Sequence, residues 1–368
     1  MRRRRRGTMY HTATIGQFIS FNIYKTLIKI TGIQFFDGVY HYKALVSNGL
    51  DVKLFTITQG IERYYIQIRV NFSKLLQPHE HIKLAQERDN KVIVDTFNNL
   101  VKKINLLMPT FDTYIVSRLD YTMQIYDLSQ EQIDLYIKLL SKGDHTRITK
   151  LVADKNNNYT RFRRHSLYTS NKSITVNIYD KHNQLSNYKD SKYSISDYDI
   201  EQAKGILRIE IQCKKGKLED IKSKHNKVSD EKITTKNIHR FINADMSKYV
   251  IQYYLKKIGL TQDYVVKSKA LSIIDKSHYR QNKKDNLKEL INELSQQYAS
   301  IDKLKSKSDS KEKAKIRKNI KAVEELGINP VTINDRSKIR RLTNLLVLSD
   351  DYYKHNDIDD DYWGELDN

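Results

Sequence analysis

Three short segments alternate between apolar and polar residues, and that alternation most constrains the fold. They are "VSRLDYTM" (116–123), "ITVNIYDK" (174–181) and "ILRIEIQC" (206–213). A period of two belongs to a β-strand, whose successive side chains point to opposite faces. In the first segment Arg118, Asp120 and Thr122 share a face, opposite Leu119, Tyr121 and Met123. In the second, Thr175, Asn177, Tyr179 and Lys181 oppose Ile174, Val176 and Ile178. In the third, Arg208, Glu210 and Gln212 oppose Leu207, Ile209, Ile211 and Cys213. If the three share one sheet, two acids, two arginines, a tyrosine and a lysine converge on its polar side. Singly, each such residue reads as ordinary outward polarity or a cross-strand ion pair. The convergence is what points to a site.

The remaining chain predicts an α+β fold. "MYHTATIG" reads as a first strand starting at Met9, and "YHYKALVS", "VKLFTIT" and "RYYIQIRVNF" follow as short strands set apart by Gly49 and Gly60. Val94, Phe97, Leu100, Val101 and Ile104 have helical spacing, closed by Pro109. Ser129 and Gly143 bracket a second helix. "NYTRFRRHSLYTS" and "SITVNIYDK" predict a hairpin about Asn171-Lys172. Beyond residue 225 strands become scarce and "NLKELINELSQQY" and "AKIRKNIKAVEELG" read as helices. The expected organisation is a basic extension (1–8), an α+β domain with a mostly antiparallel sheet and flanking helices (9–225), a basic all-helical module (226–348) and an acidic flexible tail (349–368). The Arg run of "MRRRRRG" reads as a basic arm or as an upstream start preceding Met9.

Charge bounds the partners. The net charge is +21 over 368 residues; the tail from 349 carries eight acids and one lysine, so residues 1–348 stand at +28. A body so basic favours a polyanion, nucleic acid first. The single cysteine, Cys213, excludes a disulfide framework and suits a reducing, cytoplasmic setting. No apolar run approaches the length of a membrane span, so no membrane partner is expected.

The polar face suits phosphodiester chemistry. Two close carboxylates take Mg²⁺ or Mn²⁺ through oxygen, and the metal polarises a phosphate oxygen. A tyrosine hydroxyl, with a free pKa of about 10, needs a cation or metal nearby to act as a nucleophile. Lys181 is one candidate.

"TYIVSRLDYTMQI", "SLYTSNKSITVNIYDKHNQL" and "GILRIEIQCKKGKLEDI" resemble, in order and spacing, the replication initiators of filamentous phages and the related phage/plasmid replication proteins of low-GC Gram-positive bacteria. The hairpin ending in Tyr-Asp-Lys is also similar to the trans-acting initiators of staphylococcal rolling-circle plasmids. "YYIQIRVNFSKLLQ" fits the family's early strand and Lys-containing turn, and "IKAVEELGINPVTI" its C-terminal helical segment. The resemblance covers most of residues 40–335.

It implies a rolling-circle nuclease-like fold and a metal-dependent, nicking-closing initiator. Tyr179 matches the nucleophile, which would join the 5′ phosphate and leave a 3′ hydroxyl primer before a later rejoining. Asp120 and Glu210 match metal-ligand positions, and Lys181 and Arg118 match basic positions beside them. The early strand often carries an acid near Gln67, which would here offer only a carbonyl oxygen; Glu62 and Asp180 are substitutes, although alternation turns Asp180 away from Tyr179. The implied partners are origin duplex and single-stranded DNA, a host helicase and polymerase, and a second copy in a homodimer. The alternatives are a non-catalytic nucleic-acid-binding protein of the same fold, and a transposase or mobilisation relaxase with the same chemistry.

Other features fit this setting less sharply. His79 and His81 have the spacing of a His-hydrophobic-His metal motif, but Glu80 lies between them in a polar loop, so solvent exposure is the simpler expectation; the same holds for His182. Arg161, Arg163 and Arg164 precede the hairpin, Lys315, Arg317 and Lys318 crowd one helix, and Arg336, Lys338, Arg340 and Arg341 follow. Such side chains suit phosphate contacts, which position a protein without reading sequence. Val323–Asn334 allows either a helix-turn-helix or a packing helix that happens to be basic.

Overall fold

A computed structural model of the chain describes residues 9–354 apart from 59, 146–147, 149–158, 189–194 and 229–230. The 1–8 arm, most of the acidic tail and the side chains of Arg161 and Arg163 lie outside the described residues.

Among the described residues an eleven-stranded sheet organises the fold. Its strands are β1 (Met9–Ile19), β2 (Ile33–Phe36), β3 (Val39–Tyr42), β4 (Leu50–Ile57), β5 (Arg63–Asn71), β6 (Ala85–Gln86), β7 (Ile115–Ile125), β8 (Tyr159–Arg163), β9 (Ser166–Ser170), β10 (Ile174–Asp180) and β11 (Leu207–Lys214). The order across the sheet is β2-β3-β4-β5-β1-β7-β11-β10-β9-β8, with β6 paired to one end of β1. Every pairing among these strands is antiparallel. The expected α+β class and its antiparallel sheet are present. The predicted hairpin about Asn171 is a three-stranded meander, because a turn at Arg164–His165 splits "YTRFRRHSLYTS" into β8 and β9.

The apolar parity of each strand supplies the core. Ile66, Ile68 and Val70 of β5, Leu119, Tyr121 and Met123 of β7, and Ile209, Ile211 and Cys213 of β11 are buried. Each such side chain contributes roughly 1.5–3 kcal/mol on leaving water. Helix α3 (Asn90–Ile104) adds Ile93, Phe97, Leu100 and Val101 from one face. Helix α4 (Gln130–Ser141) begins at Ser129, which forms a reciprocal capping box with Gln132, worth about 1 kcal/mol.

The boundary expected at residue 225 does not separate two cores. Helix α8 (Ala244–Gly259) lies against β1, β7 and β11 and buries Val250, Ile251, Leu255 and Ile258 in the same core. The Tyr121 hydroxyl donates to the Phe241 carbonyl at 3.0 Å, tying the two regions together. Farther on, α9 (Lys267–Lys276), α10 (Gln281–Ser295) and α12 (Ser310–Glu325) share a smaller core of Ala270, Ile274, Leu287, Ile291 and Val323. Between α10 and α12, α11 (Ile301–Lys307) sends buried Lys305 to Asp144 beyond α4. After Gly327 no helix follows before α13 (Leu345–Lys354). Residues 328–333 instead follow a non-helical path bent at Pro330–Val331 and bonded to Asp263, Val265 and Lys267, so the helix-turn-helix alternative for Val323–Asn334 is not realised. Among the described residues no helix is long and apolar enough to cross a membrane.

Candidate active site

The three alternating segments are adjacent strands. β11 pairs with β7 on one side and β10 on the other. On the polar face Asp120 stands opposite Gln212, Thr122 opposite Glu210, and Gln124 opposite Arg208. Across the other edge of β11, Asn177 faces Glu210 and Tyr179 faces Arg208. Glu210 is therefore a diagonal neighbour of both Asp120 and Tyr179, a separation of about 7–8 Å between backbones that long side chains span.

The Tyr179 hydroxyl donates to Glu210 Oε1 at 2.6 Å, and both residues are buried. Burial, and then the charge of Glu210, hold the phenol well above its usual range, so it stays protonated at neutral pH. Arg118 grips Asp120 through Nε and Nη2, at 2.8 and 2.6 Å. Burial nevertheless lifts the Asp120 carboxyl to about 6; Arg118 opposes this and the nearby Glu210 adds to it.

Arg208 is fully buried. Its Nε donates to Gln124 at 2.7 Å and its Nη2 to the Ile82 carbonyl at 2.7 Å. Nη1 lies 3.9 Å from Glu210 Oε1 without a well-formed hydrogen bond. A buried N–H left open in this way is costly unless something else fills it. Lys181 opens α5 (Lys181–Asn187) and donates to Gln184 at 2.8 Å. Burial, then Arg208, push its ammonium well below the usual lysine range.

His11 completes the group and was not singled out from the sequence. Tyr10 pairs with Tyr121 and Thr12 with Asp120, so His11 is the extra residue of a β-bulge in β1. The bulge puts His11 and Thr12 on the same side of the sheet. His11 Nδ1 lies 3.6 Å from Glu210 Oε1. Burial, then Arg208, push the ring well below the usual histidine range, so it is neutral at pH 7. The signal was in "MYHTATIG": core residues Tyr10 and Ala13 are three apart, where an unbroken strand would give two.

Other candidates stand elsewhere. Gln67 pairs with Gly16, four residues along β1 from Thr12, which is about 13 Å, so the structure does not bring it to Asp120 and Glu210. Asp180 caps α5 and accepts from Gln130 at 2.9 Å, on the α4 side of the sheet. Glu62 accepts from Tyr64 at 2.7 Å before β5 begins. His79 is exposed, whereas His81 is half-buried with its Nε2 unpartnered.

Arg164 is exposed and meets Asp134 at 3.1 Å. Lys315, Arg317, Lys318, Arg336 and Lys338 are exposed. Arg340 donates to the Asp335 carbonyl at 2.6 Å, and Arg341 is held by Asp263 at 2.6 Å.

A divalent ion fits this group in one way. Among the described residues no three His, Cys, Asp or Glu side chains enclose a point, and Arg118 engages both oxygens of Asp120. Mg²⁺, however, keeps several waters and is commonly held by one or two carboxylates plus substrate phosphate. Glu210 and Asp120 provide two carboxylates for such a shell, which water and phosphate would complete. Gln67 does not belong to it.

No family model matches the chain, and no curated protein matches it either.

Proposed function

We propose that the chain is a DNA nicking and strand-transfer enzyme with Tyr179 as nucleophile, acting as a rolling-circle replication initiator. The observation that carries this reading is the 2.6 Å hydrogen bond from the Tyr179 hydroxyl to Glu210 beside the open N–H of Arg208. A buried phenol already bonded to a carboxylate has a proton acceptor in place. The open guanidinium N–H beside it suits a phosphate oxygen, whose charge it would offset in a site shielded from water.

In this reading the Tyr179 oxygen attacks the phosphorus as its proton passes to Glu210. The new O–P bond forms as the bond to the 3′ oxygen breaks, leaving a phosphotyrosine at the 5′ end. Lys181, whose pKa is lowered, donates a proton to the departing 3′ oxygen, giving a free 3′ hydroxyl. Attack by a 3′ hydroxyl on the same phosphorus reverses the step and rejoins a strand. Glu210 and Asp120 would hold Mg²⁺ or Mn²⁺, which would supply Lewis-acid polarisation of the phosphate. Arg118 keeps Asp120 in place.

The rolling-circle nuclease-like character of the sheet and the role of the helices after α8 as a basic DNA-binding module belong to this proposal. Exposed Lys315, Arg317 and Lys318 of α12 support the latter. Arg341 is already neutralised by Asp263 and supports it less. Origin DNA, a host helicase and polymerase, and a second protomer are the proposed partners.

The test uses end-labelled single strands tiled across the DNA flanking the coding region, incubated with the protein and Mn²⁺. The expected outcome is a covalent protein–DNA adduct that disappears in Tyr179→Phe. Nicking that persists in Tyr179→Phe would overturn the assignment. DNA binding without any adduct would favour a non-catalytic protein of the same fold.

A further inference from the structure

We propose that the far half of the polar face is a stacking track for single-stranded DNA that leads to Tyr179. It rests on the strand-transfer reading only for where the strand is going; the binding itself does not depend on it.

The polar parity continues past the site into β1, β5 and β4. Arg69 stands opposite Thr14, and Thr14 opposite Arg118. Lys53, Gln67 and Gly16 form the next row, and Phe55, Tyr65 and Phe18 the one after. Phe18 is six residues along β1 from Thr12, the partner of Asp120, so the track runs for about 20 Å.

The aromatic row is open. Phe18 is 57% exposed, and Tyr65 and Phe55 are partly exposed. Phe18 and Tyr65 meet edge to face at 5.2 Å, and Phe55 lies 6.5 Å from Tyr65. The Arg63 guanidinium sits 5.8 Å from the Phe18 ring. Aromatic pairs do stabilise sheets across strands, and here the pair also leaves ring surface open to solvent.

Gly16 makes the platform possible. A Cβ there would meet the Tyr65 hydroxyl at 2.3 Å, so the ring lies across β1 where any other residue would displace it. Tyr65 thus presents ring surface outward over a strand with no side chain beneath it.

Charge selects the occupant. Lys53, Arg63 and Arg69 lie along this half of the face, with Asp51 opposite Arg69, while Arg118 at its inner end is already paired with Asp120. Exposed rings flanked by cations are how sequence-tolerant single-strand binders hold bases and backbone together. An apolar patch for a protein partner would not carry this cationic lining.

The experiment titrates fluorescein-labelled oligothymidine into Tyr179→Phe protein, which removes the nucleophile and isolates binding. Phe18→Ala and Tyr65→Ala should each weaken binding by about 5- to 150-fold, the worth of one stacked base. Phe18→Leu should weaken it similarly, because it keeps apolarity but loses the ring. Phe18→Trp should retain affinity, with indole fluorescence quenched as bases stack. Unchanged affinity in the Phe18→Ala, Tyr65→Ala double variant would overturn the proposal. So would native affinity in Phe18→Leu together with a change of oligomeric state by sedimentation, which would assign the face to a second copy. Weakened binding in these variants, together with no adduct from protein that retains Tyr179, would leave the track standing and sink strand transfer.

Discussion

At the β10–β11 end of the polar face Tyr179, Arg208 and Glu210 are at most 6% exposed, whereas at the β4–β5 end Phe18 is 57% exposed. The same sheet carries both ends, and alternation produced both. Polar groups at the first end are short of water and bound to one another. Each charge there acts strongly on its neighbours, and each unpaired group is costly. Aromatic rings at the second end are wet, and their contacts with one another are loose. A reacting phosphate needs fixed, desolvated partners, while a passing strand needs surfaces that tolerate any base. The contrast is what a nicking enzyme that must also hold a single strand would require.

The largest break in that contrast should come from Arg208→Ala. It leaves Glu210 buried with its guanidinium neighbour gone and removes the bonds to Gln124 and Ile82. A loss of about 3–5 kcal/mol is expected, read as a lower urea midpoint at unchanged slope. Arg63→Ala at the open end should stay within about 0.5 kcal/mol. Equal losses at both ends would show that the burial difference has no energetic meaning.

Gly16→Ala should cost less, about 1–3 kcal/mol, because the methyl group collides with Tyr65 and the Ile66 carbonyl. The Tyr65→Ala background should recover part of that loss, since one of the two obstacles is then gone. No recovery would mean that the backbone contact alone sets the cost.

The mildest effect is electrostatic. In metal-free protein the Asp120 carboxyl should titrate near pH 6, observable by carbon NMR of labelled aspartate. Its folded pKa is raised, so the proton bound there stabilises the fold at low pH. That contribution is complete below the unfolded value and is lost as pH rises through about 6. Arg118→Met should push the midpoint higher still. A downward shift would mean that Arg118 does not act on Asp120 as its geometry implies.

Parity was readable from the sequence and register was not. "VSRLDYTM", "ITVNIYDK" and "ILRIEIQC" show which residues share a face, and the pairing of β7, β11 and β10 makes that face continuous. Gln67 has the correct parity but stands four residues too far along, because its position depends on how β5 pairs with β1, a contact remote in sequence. His11 escaped notice because a bulge breaks the period that strand reading relies on. Arg208 shared the polar face but gave no hint that it would be the largest fully buried side chain there. Its cover comes from Gln124 and the Ile82 carbonyl, which local pattern does not reveal. The helix-turn-helix alternative failed for a related reason: residues 328–333 are held in a bent, non-helical path by bonds to Asp263, Val265 and Lys267.

β1 is the first strand of the sheet in chain order and occupies its middle, between β5 and β7. A nascent chain therefore makes the keystone well before the stones on either side of it. Closing the sheet requires pairings of high sequence separation, which are slow to form. Until β7 docks, the strands that bear Phe18 and those that bear Tyr179 belong to two unconnected curtains. The Phe18 and Tyr179 ends become one continuous face only when β7 closes against β1.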